Sequence, residues 1–170
     1  LHVLLSILLA SPLLAAPQFV LPRTGIVPEE VGIVVNDEDP HSREIGEYYR
    51  RARGIPEANL IRVHFPVGRT ALTGDEAITL KREVERATPA HVQAYAVAWT
   101  APYRAGCMSI TSLLTLGFDE KYCSRQCGRT ADSPYFNSPS LYPQTDHRMR
   151  PSMLLAGEDL AAVKRLIDRG

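Results

Sequence analysis

The chain has 170 residues, with 19 Lys and Arg against 19 Asp and Glu, and 45% of the residues are hydrophobic. That is enough apolar chain for the core of one globular domain, while a formal net charge of zero with scattered basic residues provides no field to gather nucleic acid or an anionic membrane surface. Thirteen Pro and eleven Gly fall between periodic segments, which argues against a disordered chain.

Residues 3–16 form an uncharged apolar stretch that ends in small residues before Pro17. They read as a signal-peptide core cleaved near Ala16, too short for the roughly 20 residues of a membrane-spanning helix and interrupted by Pro12. Residues 1–16 are therefore set aside as a leader, 17–30 as a linker, and 31–170 as a single α/β domain. The expected destination is the periplasm, cell envelope or extracellular space, with no integral membrane segment after processing. Such a compartment lets cysteines bridge, and Cys107 is expected to pair with Cys123 or Cys127, leaving one thiol.

Val31 to Asn36 is a short, β-branched apolar run, as in a buried parallel strand. Asp39-Pro40 supplies an N-cap and first helical position, and Ile45, Tyr48, Tyr49 and Ala52 recur at helical spacing up to Gly54, predicting a helix over 40–53. Leu60 to Phe65 alternates apolar with polar and stops at Pro66, the pattern of a strand nearer a sheet edge. Thr73 and Glu76 form a capping box for a second helix reaching about Thr88 and burying Ala77, Leu80, Val84 and Ala87. Val92 to Thr100 is a third strand. Strand, helix, strand, helix, strand at this spacing implies a three-layer sandwich on a mostly parallel sheet, order 2-1-3-4.

Residues 101–151 break this rhythm as a long Pro-, Tyr- and Cys-rich insertion, in which only Met108 to Phe118 looks helical. A segment of this kind in a compact domain is expected to serve as a lid or docking surface. Ser152 to Ala156 then gives a fourth strand, and Gly157-Glu158-Asp159 opens a last helix burying Leu160, Val163, Leu166 and Ile167. Gly170 is placed like a helix terminator, so further chain is expected beyond it.

Ligands of an open parallel sheet bind beyond the carboxyl ends of its strands. Here that rim would collect Asn36, Asp37, Glu38 and Asp39 after the first strand, and Trp99, Thr100, Tyr103 and Arg104 after the third. The acids read first as a helix cap and second as oxygen ligands for a hard cation. Cys107 is the candidate nucleophile, with His147 as its candidate base. A zinc site from Cys107, Cys123, Cys127 and His147 is disfavoured by the loose Cys-x3-Cys spacing, and no metal is assigned. No nucleotide-binding glycine turn, phosphate loop, Gly-x-Ser-x-Gly elbow or His-Glu-x-x-His helix occurs, so no cofactor is assigned.

The phrases Val31-Gly32-Ile33-Val34-Val35-Asn36, Ile45-Gly46-Glu47-Tyr48-Tyr49, Arg53-Gly54-Ile55-Pro56-Glu57-Ala58-Asn59, Trp99-Thr100-Ala101-Pro102-Tyr103-Arg104, Cys107-Met108-Ser109-Ile110-Thr111-Ser112 and Ser133-Pro134-Tyr135-Phe136-Asn137-Ser138 together resemble an uncharacterised bacterial exported family. That family is found in genomes carrying the exosortase (PEP-CTERM) envelope-sorting system, and the likeness covers residues 31–170. It implies an envelope-associated role of unknown chemistry, in a family whose members are usually longer. A fainter likeness is to the caspase-like and gingipain-like peptidase topology. Those enzymes carry a His after the third strand and a Cys after the fourth, where this chain has Trp99-Thr100-Ala101 and Gly157-Glu158-Asp159. No catalytic residue is carried over.

The functional expectation is thus a binding or accessory domain in envelope, exopolysaccharide or protein-sorting biology. Its partner would be an envelope protein or polysaccharide, contacted through Trp99, Tyr103, Arg104 and Tyr135, since aromatic and Arg side chains anchor interfaces. The alternative is a cysteine-dependent hydrolase.

Overall fold

The computed structural model describes residues 22–124 and 127–170. The expected leader and the first residues of the expected linker lie outside them. Residues 22–30 run against the domain: Arg23 pairs with Glu30, lies 4.0 Å over the Tyr142 ring and donates to Leu141 O.

The architecture is α/β, a mostly parallel sheet packed against helices. In chain order its elements are β1 (Val31–Asn36), α1 (Pro40–Arg53), β2 (Leu60–Val63), β3 (Ala71–Leu72), α2 (Gly74–Ala87), β4 (Ala94–Val97), β5 (Arg104–Ala105), β6 (Met108–Ser109), α3 (Ile110–Leu116), α4 (Pro143–His147), β7 (Ser152–Leu154) and α5 (Leu160–Arg169). The main sheet runs β2-β1-β4-β7, and every pairing in it is parallel. Central β1 is buried at five of its six positions, because helices cover both faces and leave no polar side for alternation to mark.

The pleat divides the core in two. Val34, Val97 and Trp99 point to one face, where α2 and α3 supply Leu80, Val84, Leu113 and Leu114. Ile33, Val35, Ala96 and Ala98 point to the other, against Ile45 and Tyr49 of α1 and Val163 and Ile167 of α5.

The helix ends follow local chemistry. Asp39 accepts the His41 amide at 2.9 Å and Pro40 occupies the first turn of α1, which stops at Gly54 in the left-handed conformation, φ 63°. At α2, Thr73 Oγ1 accepts the Glu76 amide while Glu76 accepts the Thr73 amide at 2.8 Å. Ala87, expected in the core, is exposed at the last residue of α2, and Leu166 is exposed because α5 buries only the narrow stripe Val163 and Ile167.

The 101–151 segment is more ordered than its composition suggests. Instead of a single helix over 108–118, it opens with the β5-β6 hairpin, and β5 pairs with β3 to make a second, three-stranded sheet. The helix starts later, at Ile110, capped by Ser109 accepting the Ser112 amide. Cys107 bridges Cys123 across 5.6 Å between Cα atoms, while Cys127 is free and exposed.

Candidate functional site

At the carboxyl end of β1, Asn36 is buried and hydrogen-bonded on both sides of its amide. Its backbone amide donates to Ser42 Oγ at 2.8 Å, its Nδ2 donates to Phe65 O at 2.9 Å, and its Oδ1 accepts the amides of Phe65 and Glu38. Asn36 therefore clasps the exits of β1 and β2 through both ends of its side-chain amide. The acids that follow diverge. Asp37 pairs with Arg62 at 2.6 Å and with His64 at 3.7 Å, whereas Asp39 caps α1. The structure thus favours the helix-cap reading over the cation reading, and no cluster of three metal-ligating side chains occurs among the described residues.

At the end of β4, Trp99 is held from several sides. It is 1% exposed, its Nε1 donates to Pro102 O at 3.1 Å, and its ring stands edge-on to Phe65 at 5.1 Å. Trp99 is therefore packed into the core, with almost no surface open to solvent. Thr100, one residue on, is exposed, and its Oγ1 donates to Gly157 O at 3.4 Å, tying the exit of β4 to that of β7. Asp159 then caps α5 by accepting the Ala162 amide at 2.7 Å.

These three strand exits enclose a cavity of about 260 Å³ with Ile45, Trp99 and Val163 among its apolar walls and Asp39, His41, Thr100, Glu158 and Asp159 at its polar rim. Among the described residues, no Lys or Arg lines it. The positive ends of α1 and α5 both arrive here and are already capped by carboxylates. The site therefore offers hydrogen-bond acceptors and an imidazole, and disfavours phosphate. A second groove of about 320 Å³ lies between Phe65, Leu72 and Leu80, but its Arg69 and Glu76 are committed to each other and to the α2 cap.

The other expected site residues are scattered. Tyr103 and Arg104 are exposed beside the small sheet, with the Tyr103 amide donating to Thr70 O. Tyr135 is half-buried, its hydroxyl donating to Ser140 O at 2.8 Å. Cys107 sits in the β5-β6 turn rather than at a helix start, with its sulfur bonded to Cys123. His147, the last residue of α4, pairs with Ser138 Oγ at 2.8 Å, and no hydrogen bond joins it to Cys107 among the described residues. Ser138 went unnoticed in the sequence because it and His147 meet through a loop with no periodic signal. Glu158 and Asp159 were legible in the sequence as the opening of the last helix, and His41 as a histidine near the end of the first strand.

Comparison with protein-family models, curated proteins and solved structures finds no match to this chain. Among the described residues, no helix is long and apolar enough to cross a membrane.

Proposed function

We propose that this chain is a binding domain of an exported, exosortase-associated envelope protein, and that its ligand is a neutral polyhydroxylated molecule such as a stretch of exopolysaccharide. One observation carries the reading: the 260 Å³ cavity lies where the exits of β1, β4 and β7 converge, partly apolar in its walls and rimmed by carboxylates, His41 and the Thr100 hydroxyl, with no Lys or Arg among its described lining residues. With the core strands in the order 2-1-3-4, this crevice falls where the chain's crossovers diverge, the usual ligand position in open α/β sheets. Carboxylates and an imidazole accept hydrogen bonds from sugar hydroxyls, and the partly apolar wall fits the non-polar face of a ring.

The insertion 101–151 supports a second contact, to a protein partner. Phe136 is 77% exposed on a turn braced by the Tyr135 and Ser138 hydrogen bonds, and Tyr103 and Arg104 also face outward. No observation favours the thiol-hydrolase alternative, because Cys107 is bridged.

One experiment separates the two contacts. Neutral gluco- and manno-oligosaccharides and an amino-sugar oligomer are titrated into the folded protein, following its amide resonances. Thr100→Trp fills the cavity mouth and should weaken rim binding at least about tenfold, about 1.4 kcal/mol, while Phe136→Ser leaves it unchanged. Preference for the amino-sugar oligomer would replace the neutral ligand by a cationic one. Sugar binding that survives Thr100→Trp would rule out the rim site.

A further inference from the structure

The geometry points to Ser138 and His147 as a separate chemical centre, a serine nucleophile with its general base, suited to a short-chain carboxylic ester. The inference does not depend on the rim cavity, since neither residue lines it.

The pair meets at 2.8 Å between Ser138 Oγ and His147 Nε2, the distance required for a base to take a hydroxyl proton. Ser138 Oγ also accepts the Ser140 amide at 3.2 Å, which leaves its hydroxyl hydrogen free to be donated to His147. The proposed chemistry uses the tautomer in which Nε2 accepts that hydrogen and Nδ1 carries the ring proton.

Both partners are held in place. The Tyr135 ring stands edge-on to the imidazole at 5.5 Å, and the Tyr135 hydroxyl closes the Ser138 turn through Ser140 O. Behind α4, buried Gln93 accepts the amides of Gln144 and Thr145 at 3.0 and 3.3 Å, anchoring His147's helix to the main sheet. The competing acid does not interfere: Asp146 is occupied by the Ser140 hydroxyl. Ser138 and His147 are each half-buried, so a reagent can reach them. Tyr135, whose ring meets the imidazole, also borders a groove of about 280 Å³ shared with Thr111, Ser133 and Met149, although neither Ser138 nor His147 lines it.

In the acyl-transfer step, Ser138 Oγ forms a bond to the carbonyl carbon as the ester C–O bond breaks. The hydroxyl proton passes to His147 Nε2 and from there to the departing alkoxide, leaving an acyl-serine and a neutral alcohol. Water then gives a proton to the same nitrogen and bonds to the acyl carbon as the C–Oγ bond breaks, and the proton passes from Nε2 to Ser138 Oγ, releasing the carboxylic acid and restoring the serine.

The test is treatment of the folded chain with a fluorophosphonate and with p-nitrophenyl acetate, followed by peptide mapping. The probe is expected on Ser138 and not on nearby Ser140. Ser138→Ala should remove it, and His147→Gln should slow labelling about 100-fold or more while the cooperative unfolding transition remains. An unmodified Ser138 in the wild-type chain, equal labelling of Ser140, or undiminished labelling in a folded His147→Gln variant would each overturn the assignment. The wild-type map decides the matter even if one variant fails to fold.

Discussion

Gly46 tests whether the α1 face of the sheet is as closely packed as the structure requires. In an open helix, replacing Gly by Ala stabilises by about 1 kcal/mol. Here a Cβ on Gly46 would fall inside van der Waals contact of Val35 Cγ1, with Ile33 Cγ2 at 3.5 Å and Leu60 Cδ1 at 3.6 Å. Val35 is fully buried and β-branched, so it has little freedom to turn aside. The backbone of α1 must lift instead, and overpacking of this kind costs roughly 2–3 kcal/mol. The difference predicts that Gly46→Ala destabilises by about 1–2 kcal/mol, lowering the melting temperature by roughly 2–8 °C at this chain length. Val35→Ala alone should cost about 2 kcal/mol through two lost methyl groups and a cavity. Combined, the methyl added at position 46 enters the vacated space, so the double variant should be more stable than the sum of the singles by about 1–2 kcal/mol. Urea unfolding of the three variants measures all of this. An unchanged or raised midpoint for Gly46→Ala, or strict additivity in the double variant, would refute the close approach of α1 to β1.

Removing the Cys107–Cys123 bridge, 16 residues apart in sequence, should cost about 3 kcal/mol by opening the loop it closes, read as a lowered urea midpoint of the Cys107→Ser/Cys123→Ser variant. An unmoved midpoint would mean that the bridge does not constrain the unfolded chain. Glu76 gives a pH signature, because the Arg69 guanidinium, aided by the Thr73 amide, holds its carboxyl down from the ordinary 4.5 to about 2. A carboxyl lowered on folding stabilises the fold fully above about 4.5, and that contribution is lost as the pH falls towards about 2. The stability gap between wild type and Glu76→Gln should therefore shrink across that acid window, and a constant gap in midpoint against pH would contradict the cap geometry.

What could be read in the sequence depended on whether the signal was local. The ends of α1 and α2 are set by residues within a few positions of each other, Asp39 with Pro40, Arg53 with Gly54, and Thr73 with Glu76, and they appear where expected. Strand β1 is legible because a continuous apolar run suits a strand covered on both sides. By contrast, β3, β5 and β6 are two residues each and exist only through pairing, with Ala71 against Arg104 and Arg104 against Ser109. Two residues carry no measurable period, so no local reading finds them. The turns of 101–151 are likewise built from side-chain hydroxyls, at Ser109, Ser133, Ser138 and Ser140, each accepting a backbone amide two or three residues on. Such turns look like low-order polar sequence until their acceptors are known.

The candidate site shows that part of the missing information was present in the pleat. Tyr95, Val97 and Trp99 share one parity and all enter the core with α2 and α3, so the burial of Trp99 follows from the same alternation that buries Val97. Ala96 and Ala98 share the opposite parity and face α1 and α5. Thr100 is the next residue of that row, and the cavity opens beside it, between Ile45 of α1 and Val163 of α5. The row ends in the Thr100 hydroxyl at the strand exit. The cavity thus opens at the end of the β4 row that faces α1 and α5, and Trp99, whose ring packs with α2 and α3, also contributes to its lining.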